Sequence, residues 1–125
     1  MDKNFLKSIL NRLEKMGCEE SDVYFSKVKT LSCSSRLGKI ENKEEAFTSE
    51  IGIRAILNKR QSIVSTTNLE KNNIDNLVER VVEMAKVVPK NQYCGLAKPN
   101  DVKKIEENEI ENLKIFDPFE PSLSL

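Results

Sequence analysis

The sequence predicts an α+β fold, in which an antiparallel meander sheet of about five strands packs against two amphipathic helices and is followed by an irregular C-terminal tail. Three observations support this prediction. Apolar residues recur at helical spacing over residues 3–16 and again over residues 74–88. Between them, residues 22–67 contain β-branched and aromatic runs separated by short polar or glycine turns. Each helical stripe must lie on an apolar surface, and the sheet is the nearest one.

The first helix is expected over residues 3–16, and Gly17 follows where a left-handed residue commonly ends a helix. One strand is expected over residues 22–28 and another over residues 30–37. The second strand alternates between a more apolar face and a polar face, so the apolar face is expected to be half buried. That face consists of Leu31, Cys33, Ser35 and Leu37.

The next predicted strand is highly charged over residues 41–45, which favours a position at a sheet edge or with one face in water. Two further β-rich runs, residues 50–57 and 61–67, flank a short polar turn in the pattern of a hairpin. Gly52 falls inside the first of these runs. A glycine there indicates a bulge or a packing site under a helix in preference to a ligand contact.

The second helix has the strongest helical periodicity in the chain, over residues 74–88. Asn68 precedes it and can cap its first turn, although the first helical residue is ambiguous by a few positions. Pro89 is expected to end it.

The C-terminal quarter has no strong period. Turn formers after Pro89 predict a loop that packs through Tyr93 and Leu96, and residues 100–113 predict either a short helix or a linker ordered by its contacts. We therefore expect a domain over residues 3–99, and a linker or the start of a further domain over residues 100–125. The sequence stops without a closing element, as expected of a fragment.

The net charge does not indicate a charged partner, because 20 basic residues balance 20 acidic ones. We therefore expect no nucleic acid as a partner. Every apolar run is interrupted by lysine, so neither a signal peptide nor a membrane span is expected. These features predict a soluble, cytoplasmic protein without a membrane association.

The sequence contains no histidine, which excludes histidine-based triads and histidine-based metal sites within these 125 residues. It has three cysteines, an odd number, and no two of them form a CxxC pair, so they are interpreted as free thiols. Cys33 and Cys94 are better explained as small buried core residues than as nucleophiles, since no histidine can activate a thiolate.

Two polar clusters also favour structural explanations. The acidic residues within 106–111 lack the ligand spacing and the glycine of a calcium loop, so a solvated face is the better interpretation. The hydroxyl residues within 62–67 have no general base nearby and are typical of a strand end. The sequence therefore predicts no catalytic, cofactor-binding or metal-binding residue.

Several segments nevertheless occur in an informative order. They are residues 22–24, 31–41, 51–54, 65–69 and 77–80, and Pro89 with residues 93–97. In this order, and at these separations, they resemble the N-terminal domain of the TldD/PmbA metallopeptidase family, and the resemblance spans residues 5–121. The tail, over residues 116–122, is more similar to the PmbA branch, also called TldE.

The resemblance implies a subunit of a cytoplasmic bacterial peptidase assembly that degrades or processes unfolded peptides. In that family a TldD-type subunit holds zinc through a His-Glu-x-x-x-His helix, and the PmbA-type partner lacks this motif while completing the peptide-binding chamber. The chain matches about the first quarter of such a subunit and carries none of the metal-binding positions.

For this chain the resemblance therefore implies a scaffold domain, as a fragment of a longer subunit or as a standalone domain, that has no peptidase activity and no zinc of its own. The partners implied are a TldD-like subunit and a second copy of this chain. A different class of function is a non-catalytic module that binds an extended peptide by strand addition, at the charged run over residues 41–45 or at the apolar tail.

Overall fold

The structure is a computed structural model that describes residues 2–119 and 121. It has the predicted α+β class. In chain order the elements are α1 (Lys3–Lys15), β1 (Glu20–Arg36), β2 (Lys39–Leu57), β3 (Arg60–Thr66), α2 (Lys71–Val87), a short 3-10 helix (Pro99–Asp101) and α3 (Glu107–Asn112). The strands form one sheet in the order β1-β2-β3.

The predicted number of five strands is wrong, because the described residues form three. The runs predicted over residues 22–28 and 30–37 are one continuous strand, β1, and the charged run joins residues 50–57 in β2. Neither strand contains proline, and Gly52 lies in β2 without ending it. Polar stretches that suggested breaks in the sequence are therefore exposed parts of long strands.

Both strand connections are two-residue turns of the type that matches the twist of a hairpin. Leu37 and Gly38 have φ of 51° and 76°, and Asn58 and Lys59 have φ of 46° and 60°. The second turn sets the antiparallel register of β2 and β3, in which Ile51 lies opposite Thr66 and Leu57 lies opposite Arg60.

The hydrophobic core lies between one face of the sheet and the two long helices. Leu13 of α1 and Val81 and Val82 of α2 have no exposed surface, and Ile51 and Ala55 of β2 are equally buried. The same cluster also contains Ile9, Cys18, Ile53, Ile74, Leu77 and Val78. Burial of a large aliphatic side chain contributes about 1.5–3 kcal/mol, so this cluster is the main stabilising feature of the fold.

The helix ends are set by local hydrogen bonding. The Asp2 carboxylate accepts the Asn4 N–H at 3.3 Å and caps α1, and Gly17, with φ of 95°, comes after its last turn as predicted. The N-cap of α2 is Glu70, whereas Asn68 accepts the Glu70 N–H at 3.0 Å two residues earlier.

The contacts divide the chain into two compact units. The first contains Met1–Val28 and Thr48–Leu96, and therefore holds α1, β3, α2 and the adjoining halves of β1 and β2. The second contains Lys29–Phe47 and Ala97–Leu125. We call Lys29–Phe47, which is built from the other halves of β1 and β2, the distal hairpin.

Beyond α2, the segment from residue 89 to residue 96 is held by polar contacts. The Asn91 N–H donates to the Lys59 carbonyl at 2.7 Å, and the Leu96 N–H donates to Glu20 Oε2 at 2.9 Å. Leu96 is half buried, but Tyr93 is 86% exposed, so the expected packing of Tyr93 is wrong. Hydrogen bonds to Lys59 and Glu20, rather than aromatic burial, position this loop.

The second unit also contains α3, so the short helix is the correct one of the two alternatives for residues 100–113. Residues 113–119 and Pro121 form no regular element, and Glu120 with residues 122–125 of the predicted tail lie outside the described residues. None of the helices in the described ranges, 2–119 and 121, is long and apolar enough to cross a membrane.

Candidate functional site

The first candidate surface is the outer face of the sheet in the first unit, which is the face directed away from α1 and α2. It carries Asp22 and Tyr24 of β1, Gly52 and Arg54 of β2, and Ile63 of β3. Tyr24 is 52% exposed and Ile63 is 57% exposed. Together these residues line a shallow depression of about 220 Å³.

An ion pair crosses this face. Arg54 Nε donates to Asp22 Oδ1 at 3.0 Å, and the second nitrogen of the same guanidinium donates to Asp22 Oδ2. Hydrogen bonding to Asp22 is the main cause that raises the pKa of Arg54 above its usual value. Since both carboxylate oxygens accept hydrogen bonds from Arg54, Asp22 is poorly placed to act as a general base.

The Tyr24 ring lies directly over Gly52, because a Cβ added to Gly52 would overlap the ring. The close packing expected at this glycine is therefore present, although its partner is a ring of β1 rather than a helix. Loss of hydration raises the pKa of the Tyr24 phenol, and the Glu50 carboxylate raises it further by its charge and its hydrogen bond. The phenol, which is neutral at pH 7 even at its ordinary pKa, donates its hydrogen bond to Glu50.

Sequence reasoning did not single out this outer face. The available signal was the alternation of Asp22 with Tyr24 on one strand and of Gly52 with Arg54 on another, since opposite charges on adjacent strands commonly pair. The strand pairing needed to connect the two motifs comes only from the structure. What the face offers chemically is an ion pair, a phenol and an aliphatic side chain, which suit binding rather than bond cleavage.

The second candidate surface is the distal hairpin in the second unit. Within it, Leu31 and Lys43 are half-buried residues, and the other residues are exposed. Leu37, at the turn, is 96% exposed, and Phe47 is 72% exposed. The half-buried face predicted from Leu31 to Leu37 is therefore wrong beyond Leu31, because Cys33, Ser35 and Leu37 are exposed.

Charged side chains link the two strands of the distal hairpin. Lys29 Nζ lies 3.0 Å from Glu45 Oε1 and 5.6 Å from the centroid of the Phe47 ring. Arg36 lies 3.8 Å from Glu41 near the turn. Exposed pairs of this kind contribute about 0–1 kcal/mol each, so they orient side chains more than they stabilise the hairpin.

A groove of about 510 Å³ lies beside the distal hairpin, within the second unit. Lys29 and Leu31 form one side, and the C-terminal tail contributes Phe116, Pro118, Phe119 and Pro121. Phe116 is 83% exposed and Phe119 is 64% exposed, so their rings line the groove without closing it. The groove is mainly apolar and aromatic, and Lys29 supplies its cation.

The three cysteines are free thiols, as predicted, but their burial differs from the prediction. Cys33 is exposed and Cys94 is half buried, so neither is a buried core residue. Cys33 lies in the distal hairpin, apart from the core cluster of the first unit. Cys18 is the buried one, and burial raises the pKa of its thiol while the nearby Lys86 charge partly offsets this effect.

The hydroxyl residues at the end of β3 have structural contacts. Ser62 Oγ donates to the Val81 carbonyl of α2 at 2.5 Å, and Ser62 is 5% exposed. Thr66 Oγ1 accepts the Asn68 N–H at 3.1 Å and the Asn73 amide at 3.2 Å. These bonds tie β3 to the connection and helix that come after it.

Two members of the acidic cluster over residues 106–111, Glu106 and Glu109, are also engaged locally. Glu109 pairs with Lys103 at 2.5 Å and accepts the Glu106 N–H at 3.1 Å, in a capping box at the start of α3. Lys103 is the main cause that lowers the pKa of Glu109. Among residues 2–119 and 121, no group of three or more acidic, cysteine or histidine side chains could hold a metal ion.

These observations define the class of protein: a small α+β domain with a helix-backed sheet and two exposed surfaces suited to binding. Comparison with known proteins gives the family. The family model described as PmbA/TldA metallopeptidase domain 1 matches residues 21–85. The chain belongs to this family, as its first domain, which confirms the resemblance found in the sequence.

Individual relatives agree with this assignment. The chain is 34% identical over 77 residues to a protein named metalloprotease PmbA homolog from Haemophilus influenzae, a match that covers 62% of this chain and 17% of that protein. TldE from Thermococcus kodakarensis has the same fold, with a TM-score of 0.67, 20% identity, and coverage of 90% of this chain and 25% of TldE.

A second solved structure shares the fold. It is a protein from Bacteroides thetaiotaomicron described as a candidate modulator of DNA gyrase, with a TM-score of 0.75 and 16% identity. The match covers 84% of this chain and 24% of that protein. The chain thus spans a quarter or less of the length of each of these three proteins.

Proposed function

We propose that the chain is an N-terminal scaffold domain of a PmbA/TldE-like subunit in a cytoplasmic, zinc-dependent peptidase assembly that processes unfolded peptides. The proposal rests on two facts taken together: the family to which the chain belongs and the amino-acid composition of the chain. The chain belongs to the first-domain family of these metallopeptidases, yet none of its 125 residues is histidine. A histidine-based zinc site must then come from elsewhere in the assembly.

The proposed partner is a TldD-like subunit that holds the zinc. The distribution of side chains supports a binding role, because the polar groups of the outer face engage one another while apolar side chains are exposed. Arg54 is paired with Asp22, and Ile63 and Phe47 are among the exposed apolar residues. Binding a partner would remove this apolar surface from water, which is favourable.

Coexpression with a TldD-type subunit tests this proposal. We expect the two chains to elute together in size-exclusion chromatography, and we expect the isolated chain, supplied with zinc, to leave an unstructured peptide intact. Ile63→Lys and Phe47→Lys place the same charge on exposed positions of the two units, so loss of association by one variant alone identifies the contacting unit. Hydrolysis by the pure chain, or no association with the TldD-type subunit, contradicts the proposal.

The second candidate function is a non-catalytic module that binds an extended peptide by strand addition. The specific observation in its favour is that β1 is a terminal strand of the sheet. The charged run over residues 41–45 is the less suitable edge, since charged side chains are a common protection against added strands. Retention of an unstructured peptide by the chain without any TldD-type subunit would favour this candidate.

A further inference from the structure

We propose that Leu37, at the turn of the distal hairpin, anchors the interface with the TldD-like subunit, and that its side chain fills an apolar pocket of that subunit. Leu37 lies between β1 and β2, at the end of the hairpin. This inference deepens the proposed function and rests on it, because the TldD-like subunit is the partner proposed there. It names the residue of this chain on which the association depends most.

The first argument is that leucine does not suit the backbone conformation at position 37. Leu37 has φ of 51° and is followed by Gly38 with φ of 76°, in a two-residue turn. The first position of such a turn favours asparagine, aspartate or glycine. In this conformation the Cβ of other residues crowds the carbonyl oxygen that comes next, and leucine has no polar group that could form a local hydrogen bond. The structure of the turn itself therefore does not explain the leucine.

The second argument comes from the other turn of the same sheet, where positive φ angles are compensated. Asn58, with φ of 46°, takes the position equivalent to Leu37 and is one of the favoured residue types. Lys59 has φ of 60°, but its Nζ donates to the Cys94 carbonyl at 3.2 Å and its own carbonyl accepts the Asn91 N–H at 2.7 Å. Leu37 is 96% exposed, so its side chain has no comparable contact within residues 2–119 and 121. Since strained residues cluster at functional sites, a contact with a partner is the expected compensation.

The third argument concerns the kind of surface that the turn fits. Leu37 and Ile40 are both exposed, by 96% and 57%. Arg36 lies 3.8 Å from Glu41, so the opposite charges beside the turn partly compensate each other. What the turn offers a partner is mainly apolar side chains, whose removal from water is favourable in a pocket of matching shape. Lys39 is exposed beside them, and an acidic group at the rim of the pocket would complement it.

The fourth argument identifies the partner. A stable protein interface involves roughly 20–30 residues on each side, which is more than two turns of this chain can supply by meeting end to end. A second copy bound through Leu37 is therefore unsuitable. A membrane surface is unsuitable too, because stable anchoring takes more than one apolar group and residues 41–45 carry three glutamates, which anionic lipids repel. A large subunit can surround the turn and contact the rest of the chain at the same time, and in the proposed function that subunit is the TldD-like one.

Biolayer interferometry, with an immobilised TldD-type subunit and the full chain in solution, tests the inference. We expect Leu37→Asn to weaken the association at least tenfold, because a buried anchor is a hot spot, and Leu37→Met, which keeps an adaptable apolar side chain, to weaken it less than about threefold. In the free chain, Leu37→Asn creates the Asn-Gly sequence that this turn favours, so amide exchange in the distal hairpin should slow by about fivefold. The variant should thus bind more weakly although its free turn is more stable, which is the opposite of what a purely structural role predicts.

A leucine moved to the other turn is the matched control. A double variant with Leu37→Asn and Asn58→Leu has the composition of the wild type and carries leucine at the equivalent position of the second turn. Circular dichroism checks that it is folded. We expect it to bind as weakly as Leu37→Asn alone. Recovery of the wild-type affinity would show that any exposed leucine is sufficient, and would contradict the inference.

Methyl NMR tests the contact directly. In a chain with ¹³C-labelled leucine methyl groups, a soluble paramagnetic agent should strongly broaden the Leu37 signals while the chain is free. We expect this broadening to fall at least threefold when the unlabelled TldD-type subunit is bound. Leu13 has no exposed surface and serves as the internal reference, whose signals the agent should leave sharp in both states.

Several results would overturn the inference. They are equal affinity of the wild type and Leu37→Asn, and unchanged accessibility of the Leu37 methyl groups in the complex. Leu37-dependent dimerisation of the chain, or Leu37-dependent binding to vesicles of phosphatidylserine and phosphatidylcholine, would also overturn it, because the partner would then be a second copy or a membrane. If the wild type does not associate with the TldD-type subunit, the proposed function fails together with this inference. If it associates independently of Leu37, only this inference fails.

Discussion

Gly52 contacts the Tyr24 ring, so the effects of mutations at these two positions on the free energy of unfolding should be coupled. This coupling can be measured. An alanine Cβ at position 52 would occupy the space of the ring, so Gly52→Ala must move the ring off the sheet. Tyr24 is half exposed, and its ring can therefore swing toward solvent without disturbing the core on the other face. The cost is the lost packing of the ring and its lost contact with Glu50.

The expected magnitude is the sum of two opposing effects. Overpacking by one carbon commonly costs about 1–3 kcal/mol, and the mobility of the ring favours the lower half of this range. Replacing glycine by alanine in a strand otherwise gains roughly 0.5–1 kcal/mol. We expect Gly52→Ala to reduce the free energy of unfolding by about 1 kcal/mol in the wild-type background. In a Tyr24→Ala background the same change should be neutral or stabilising by up to about 1 kcal/mol.

A double-mutant cycle followed by urea unfolding, with circular dichroism as the probe, measures the coupling between the two positions. The four proteins are the wild type, the two single variants and the double variant. The expected coupling energy is about 1–2 kcal/mol. If Gly52→Ala costs the same free energy whether or not the tyrosine is present, the explanation of this glycine by ring packing is wrong.

Four other features of the structure lead to predictions that can be tested by mutation, chemical modification or titration. Ser62→Ala removes a buried hydrogen bond to α2 and should lower the free energy of unfolding by about 1 kcal/mol, measured by urea denaturation. Leu37→Asn relieves a positive φ and should stabilise the turn by about 1 kcal/mol, seen as slower amide exchange in the distal hairpin. An aromatic disulfide reagent should modify the exposed Cys33 first and Cys18 last, because burial raises the pKa of Cys18 and blocks access. Since the folded-state pKa of Glu109 is lowered, its stabilisation of α3 should be present above its ordinary pKa and be lost as the pH falls through the folded value, measured by NMR titration.

The parts of the fold that the sequence predicted are those with strong local signals. The apolar stripes of α1 and α2 were visible because each helix buries one face, and Gly17 marked the end of the first. A short polar turn over residues 58–60 was predicted, and in the structure the turn is Asn58 and Lys59 while Arg60 begins β3. Periodicity and turns are encoded within a few residues, so one sequence is sufficient to recognise them, whereas the N-cap of α2 is Glu70 and not the predicted Asn68.

The errors share a different cause, which is the absence of a covering layer within the described residues. Alternation in residues 31–37 predicted a half-buried face, yet Cys33 and Leu37 are exposed. Alternation shows that a strand has two unlike faces, but it does not show that anything packs on the more apolar one. The same limit explains Tyr93, an aromatic side chain in a loop that is held by polar contacts and leaves the ring in solvent.

The candidate surfaces were less predictable than the fold, because each combines residues distant in sequence. Asp22 meets Arg54 only through the pairing of β1 with β2. The groove combines Leu31 with the tail around Phe119. The family resemblance supplied the functional class from the order of short segments, and it gave no information about either surface.

The two units differ in how many of their described side chains already make contacts within the unit. In the first unit, Arg12 bridges Asp75 and Glu79 at 2.6 Å and 2.8 Å, Ser62 is bonded to α2, and the helices cover one face of the sheet. A partner there must compete with interactions that already exist. In the second unit, Leu37, Phe47 and Phe116 are exposed, so a partner there would remove apolar surface from water. Leu37 supports the same conclusion, because a leucine with positive φ and 96% exposure costs stability that no contact of its side chain offsets within the described chain. For the partner proposed above, we therefore expect contacts at the distal hairpin, where exposed apolar side chains are available, to matter most.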